Sequence, residues 1–347
     1  MSDPNDYTVG WICAVEIEYL AAQLCLDEEH PRLSCRPSPT DTNTYTLGKI
    51  ADHNVVIASL PAGSYGTASA ATVATNLIRS FPNVRIGLMV GIAGGAPSLP
   101  NRDIRLGDIV VSFPKGRKGG VLQYDFGRTI QKESFQKTKF LNQPPTALQT
   151  ALATLKVEQR RRPGSLQEAI GTILQEQEGE LRDELDRPDA GSDRLYRKDF
   201  IHPQGNEGTC VETCGSEPSN LIIRPERAKR PHSPVVHYGL IASGNQLMKD
   251  ALRRDELADE EEVLCFEMEA AGLVNDFPCL VIRGICDYSD THKNDTWQGY
   301  AALVAAVYAK ELLQRIPPDD VKFEKKIADI VTGQPNFRYM SHVFSHC

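Results

Sequence analysis

The chain has 347 residues, 41% of them hydrophobic and 24% charged, and a formal net charge of -8 at pH 7. This length and balance describe a globular chain with enough apolar residues for a core of its own, and the negative charge argues against a general nucleic-acid binder, which presents a basic stripe. The opening MSDPNDYTVG lacks a basic region followed by an apolar core, and no apolar run reaches the length of a membrane span, so neither a secretory signal nor a membrane association is expected.

Residues 7–15, YTVGWICAV, are apolar and rich in β-formers and predict a buried strand, after which EIEYLAAQLCL predicts a helix. Strands are predicted at 45–50 and 55–60, and small apolar residues at helical spacing predict a helix over 66–80. A buried strand at 86–90 ends in GIAGG, and 109–112 is again strand-like. Residues 146–160 carry Leu148, Ala151, Leu152 and Leu155 on one helical face. Residues 157–200 are highly charged. Leu166, Ile170, Ile173, Leu174, Leu181 and Leu185 nevertheless recur there at helical spacing, which predicts one or two amphipathic surface helices. Residues 201–234 are rich in Pro and Gly and predict an irregular loop. Regular alternation returns with VHYGLIASGN, VLCFEMEAAG and PCLVIRGICDYSD, before a final helix near 297–315. The pattern predicts one α/β domain over 1–315, its sheet covered on both faces, with an insertion at about 157–234 and a tail or linker over 316–347.

Nine cysteines are present. Cys13, Cys265, Cys279 and Cys286 lie in apolar stretches and are expected as buried free thiols, which fits a reducing, cytoplasmic location. Cys210 and Cys214 are four apart in a Gly/Pro-rich loop. Zinc would need two further ligands, and no recognisable spacing supplies them, so neither a metal nor a cofactor is expected.

Four segments fall at the ends of predicted strands, where ligands of open α/β sheets bind. They are AVEIE with Glu16 and Glu18, GIAGG with Gly91, Gly94 and Gly95, FEMEA with Glu267, Met268 and Glu269, and GICDYSD with Asp287. Each alone has a plainer reading: Glu18 as a helix cap, GIAGG as a tight turn, FEMEA as a helix start, Asp287 as an N-cap. Together they suit cleavage of a purine N-glycosidic bond. That chemistry needs an acid at the leaving base, negative groups beside a cation-like ribose, and an activated nucleophile on the far face of the sugar. Asp287 follows the apolar LVIRGIC, so a desolvated carboxyl with a raised pKa is expected to act as the acid. Glu18 sits in a first helical turn, where the helix dipole favours the ionised form, and is expected to act as the base.

The order AVEIE, GIAGG, LGDIVVS, GLIASGN, FEMEAAG, RGICDYSD resembles the nucleoside phosphorylase and nucleosidase superfamily over residues 7–115 and 235–315. The likeness is greatest to methylthioadenosine/S-adenosylhomocysteine nucleosidases and to fungal phosphorylase-type domains of immune-receptor-like proteins. Related defence domains include ones that cleave ATP to adenine and ribose triphosphate. The resemblance implies a three-layer α/β/α sandwich with a mixed, partly barrel-like central sheet. It implies that Glu269 binds the ribose hydroxyls, Met268 packs beneath the sugar and Asp287 engages N7 and the exocyclic nitrogen of adenine. By the same likeness Glu18 activates water, Glu267 and Arg283 shape the pocket, and Leu247 and Met248 border the base. The activity implied is hydrolysis of an adenine nucleoside or nucleotide (adenosine, AMP, ATP or dATP) with release of adenine.

Two alternatives stand beside it. Phosphorolysis with inorganic phosphate is disfavoured, because AVEIE puts carboxylates where phosphorylases carry a glycine-rich loop and an arginine. A non-catalytic nucleotide-sensing module is kept open by Ile92, where nucleosidases usually carry a serine that helps hold water. For a 5′-phosphate, AGSYGTAS before the predicted helix offers donors at Gly63, Ser64, Gly66 and Thr67, with Gly94 as a further loop contact. Basic candidates are Lys115, Arg117, Lys118, Arg128, Arg224 and Arg227, and the insertion is the expected place for a substrate-specific lid. The resemblance also implies a homo-oligomer, dimer or larger, with Tyr124 or Phe126 completing a neighbour's pocket.

Overall fold

All five residues of strand β1 (Val9–Cys13) are buried, which suits a strand covered on both faces in mid-sheet. The computed structural model describes residues 2–33, 38–116, 118–132, 135–138, 141–203, 205, 210–227, 233–292 and 295–333. After β1 come α1 (Glu16–Leu24), β2 (Glu28–His30), β3 (Tyr45–Ile50), β4 (His53–Ser59), α2 (Thr67–Ser80), β5 (Ile86–Gly95), β6 (Ile109–Ser112) and β7 (Val121–Gln123). A small ribbon of β8 (Gly127–Arg128) and β9 (Gln136–Lys137) precedes α3 (Thr146–Arg161), α4 (Ser165–Gln175), α5 (Gly179–Leu185) and α6 (Cys210–Thr213). The chain ends in β10 (Val236–Ser243), α7 (Ala251–Glu261), β11 (Val263–Glu267), β12 (Cys279–Asp287), α8 (Gln298–Leu313), α9 (Pro318–Phe323) and α10 (Ile327–Thr332).

The strands form one mixed sheet in the order β11-β10-β6-β12-β5-β1-β4-β3-β2, with β7 beside β10. β1 runs parallel to β4 and β5, β5 parallel to β12, and β12 antiparallel to β6. At its far end β11 turns back and pairs with β5 at Cys265↔Gly95 and Phe266↔Gly94. That pairing closes β5, β12, β6, β10 and β11 into a ring, so the α/β/α sandwich has a barrel-like half.

Helix α8 is buried almost all round, from Gly299 to Ala309. A helix without a polar face must be covered on every side. The sheet and α1 cover part of it, and α3, α4 and α5 pack on the rest. Leu166, Ile170, Ile173, Leu174 and Leu185 point inward from α4 and α5 and belong to the main core. Helix α3 runs on to Arg161, past the start expected for an insertion at 157.

GIAGG does not form the expected loop. It lies inside β5, which extends five residues beyond the expected end at 90, because β12 and β11 supply partners on both sides. Residues after Pro317, expected as a tail, form α9 and α10, with Val321 and Ile327 buried. The rest of that tail, 334–347, lies outside the described residues. Cys13, Cys265, Cys279 and Cys286 are buried free thiols, as are Cys25, Cys210 and Cys214. Among the described residues no helix is long and apolar enough to cross a membrane.

Candidate active site

The carboxyl ends of β1, β5, β11 and β12 open on one cleft of about 530 Å³. Its lining includes Glu18, Gly94, Leu247, Met248, Glu267, Met268, Glu269 and Asp287, so most residues expected at the site meet there. Glu16 is exposed and outside this lining.

Strand β1 hands over to α1 within two residues, and the abrupt turn buries Glu18. Its Oε2 accepts from the backbone N–H of Ala14 at 2.6 Å and of Val15 at 3.3 Å. Its Oε1 accepts from the N–H of Ile92 at 2.8 Å and lies 3.7 Å from Arg283 Nη1. The carboxylate therefore caps its helix and also faces the cleft. Burial pushes its pKa up, against the opposing pull of Arg283 and those three N–H groups. Desolvation is the largest influence on this carboxyl. A carboxylate so lifted is a better proton acceptor than a solvated one.

Arg283 is fully buried on β12 and serves three carboxylates. It pairs with Glu267 through a short contact, with Glu269 at 3.4 Å and with Glu18 at 3.7 Å. Glu267 also accepts from the N–H groups of Glu269 and Ala270, at 3.1 and 3.0 Å, which holds the FEMEA turn. Glu269 is the most exposed to conflict. Burial pushes its carboxyl up to about 7; Arg283 opposes this, while Glu267 and Glu18 add to it. Half-buried Met268 lies beside it on the cleft wall.

Asp287 ends β12 opposite Gly94 of β5. Its Oδ1 accepts from the N–H of Ser289 at 2.7 Å. A methyl group at Gly94 would overlap that carboxylate and the Ser289 hydroxyl, and one at Gly91 would overlap the carboxylate of Glu18. The two glycines are therefore the gaps through which the two acids approach β5.

Several of the groups read for phosphate have protein partners. The Gly66 N–H donates to Glu269 Oε1 at 3.4 Å, and the Thr67 N–H and hydroxyl both donate to Asn245 Oδ1 at 3.0 Å. These donors brace the FEMEA and ASGN segments. Lys115 and Lys118 pair with Glu262 and Glu261, Arg224 with Asp193 and Asp103, and Arg227 with Asp108. Arg128 is exposed on β8, and Arg117 lies outside the described residues. Tyr124 is buried under its own chain's Phe266, 5.6 Å between ring centroids, and bonds the Gln246 carbonyl. Tyr124 is buried within its own chain, whereas Phe126 is exposed.

Phe266, Tyr65, Ser289 and Lys249 line the cleft and were not singled out from sequence. Phe266 opens the FEMEA motif and was legible there, and Tyr65 lies within AGSYGTAS; Lys249 carries no local pattern. Two side chains that no sequence spacing ties to Cys210 and Cys214 lie beside them. His202 and His292 join Cys210 and Cys214, with all four ligand atoms within 4.8 Å of one another.

A crystal structure of the 5′-methylthioadenosine/S-adenosylhomocysteine nucleosidase of Helicobacter pylori superposes over 89% of this chain and 98% of that one, with a TM-score of 0.54 and 16% identity. The fold is that of the nucleoside phosphorylases and nucleosidases. No family model matches the sequence. The chain is 48% identical over 320 residues to a nucleotide-binding leucine-rich repeat (NLR)-like protein of Hyaloscypha variabilis, covering 92% of this chain and 30% of that protein. It is 31% identical over 86 residues to the ATP nucleosidase Cap17 of Escherichia coli, covering 23% of this chain and 17% of that protein. The chain thus spans less than a third of either relative.

Proposed function

We propose that this chain hydrolyses the N-glycosidic bond of an adenine nucleoside or nucleotide. The observation that supports it is the convergence of Glu18, Glu269 and Asp287 on one cleft, the first two also paired with the buried Arg283. In this reading Asp287 donates a proton to N7 of adenine while the C1′–N9 bond breaks and its electron pair stays with the base. Glu269 accepts hydrogen bonds from the ribose hydroxyls, and its negative charge stabilises the cation-like sugar. Water adds to C1′, giving its proton to Glu18. Met268 packs beneath the sugar, with Phe266, Leu247 and Met248 around the base. The nucleosidase fold and the partial likeness to an ATP nucleosidase favour the same reading. Inorganic phosphate would meet the carboxylates of Glu18 and Glu269, which disfavours phosphorolysis.

The test is to incubate the protein with adenosine, methylthioadenosine, AMP, ATP, dATP and guanosine, with and without phosphate, and to identify the products. Free adenine without added phosphate is expected from at least one adenine substrate. Asp287→Asn is expected to slow its release by about 10²–10⁴-fold, the usual worth of a positioned acid. Formation of ribose 1-phosphate only when phosphate is present would overturn hydrolysis. Calorimetric binding of a substrate with no product would instead favour a sensing module, the reading that Ile92 keeps in view.

A further inference from the structure

Outside the cleft, one cluster of side chains has the composition and geometry of a metal centre. We propose that His202, Cys210, Cys214 and His292 bind one Zn²⁺ ion, which fastens the segment after α5 to the loop that follows Asp287. His202 Nδ1 lies 3.2 Å from Cys214 Sγ and 3.3 Å from Cys210 Sγ, and His292 Nδ1 lies 3.8 Å from Cys210 Sγ. Tetrahedral zinc with ordinary bond lengths separates a sulfur and a nitrogen ligand by about 3.6 Å. These three distances bracket that edge and all four atoms lie within 4.8 Å of one another, so an ion fits between them once the more widely spaced ligands draw in.

The surroundings already orient the ligands. His292 Nε2 is 3.0 Å from the carbonyl oxygen of Phe200. A carbonyl can only accept, so Nε2 carries the hydrogen and Nδ1 keeps its lone pair toward Cys210. The His292 ring is stacked 3.9 Å from Tyr196 and 5.4 Å from Phe200, centroid to centroid, which fixes its plane. The backbone N–H of His202 donates to Thr291 Oγ1 at 3.0 Å, holding the two strands of chain together beside the site. Cys210, Cys214 and His292 are buried and His202 is half-buried.

Two sulfur and two imidazole ligands select zinc over magnesium or calcium, which take oxygen. Four protein ligands leave no open position, so the ion is structural rather than catalytic. On binding, each thiol releases a proton to solvent. The ion bears on the cleft because Tyr288 to His292 is the loop that carries on from Asp287. That loop is held at one end by Arg224 and Asp193 on the Tyr288 hydroxyl, and the ion holds the other. The ligands lie 8 and 82 residues from Cys210, which is why no sequence spacing disclosed them.

The test uses the full chain purified with reductant and without chelator. Elemental analysis is expected to find about one zinc per chain. After the metal is stripped, cobalt(II) chloride is expected to produce the sulfur-to-metal charge-transfer absorption and strong visible bands of a tetrahedral site. Cys214→Ser removes one of two thiolates and is expected to reduce the charge-transfer absorption by about half. A chain that holds no zinc and gives no cobalt spectrum overturns the proposal, as does a Cys210–Cys214 disulfide found by mass spectrometry under reducing conditions. If the variant fails to fold, the metal content and cobalt spectrum of the unaltered chain still decide. None of these readouts depends on adenine release, so the zinc site and the nucleosidase reading stand or fall separately.

Discussion

Glu269 illustrates how one buried carboxyl ties acidity to stability. Its carboxyl titrates near 4.5 in an ordinary setting and at about 7 here, mainly through burial. The folded chain therefore holds this proton more tightly than the unfolded one. The resulting stability is complete below about pH 4.5 and is lost as the pH rises through about 7. Glu18 is shifted in the same direction. Glu269→Gln cannot ionise, so its melting temperature is expected to fall less than that of the parent between those pH values. Parallel melting curves for the two proteins across that window would refute the assignment. Arg283 keeps the cluster tolerable, since its single guanidinium reaches Glu18, Glu267 and Glu269. FEMEA and RGICD were legible as a pair of motifs. That the arginine of RGICD also reaches Glu18 was not, because the two are far apart in the chain and meet only across the sheet.

At the scale of elements, β5 shows how a strand makes room for chemistry. GIAGG looks like a turn because glycine is common where the chain reverses. Here the glycines stay extended and are needed for what they lack, since a methyl group at Gly91 would overlap the Glu18 carboxylate. Gly91→Ala is expected to push Glu18 from the Ile92 N–H, destabilise the fold by about 1–3 kcal/mol as overpacking does, and depress adenine release. Urea unfolding and product assay check both effects. An alanine variant with unchanged stability and turnover would mean that Glu18 has another place to go. The AGSYGTAS segment teaches a related lesson. It does precede a helix, but the donors of its Gly66 and Thr67 are taken up by Glu269 and Asn245, from parts of the chain that its own sequence does not reveal.

For the whole molecule, α8 is the organising element. It is sheathed by the sheet, by α1 and by α3 to α5, so the charged stretch after 157 contributes its leucines and isoleucines to the common core. The end of the described chain is also part of the packed structure. The Ile327 N–H donates to the Val84 carbonyl at 2.9 Å, and Arg85 Nη1 donates to the carbonyl of Lys322 at 2.9 Å. Ile327→Ala is expected to cost about 2–5 kcal/mol, the range for emptying a buried isoleucine site. A midpoint of urea unfolding unchanged from the parent would show that α10 is not held against β5's start as described.

The sequence by itself determined the alternation of strands and helices, the apolar stretches that became the core, and the order of motifs that brought Glu18, Glu269 and Asp287 to one cleft. These signals are local: periodicity, propensity and short motifs are set by neighbours a few residues away. Only the tertiary structure decided that GIAGG stays in a strand, that Gly66 and Thr67 brace protein groups, and that Tyr124 faces its own Phe266. It alone joined Cys210 and Cys214 to His202 and His292. Each of these depends on which faces of distant elements meet, and burial then sets the charge states. Burial is likewise what lifts the Glu18 carboxyl, and no local pattern reveals how deeply it is buried.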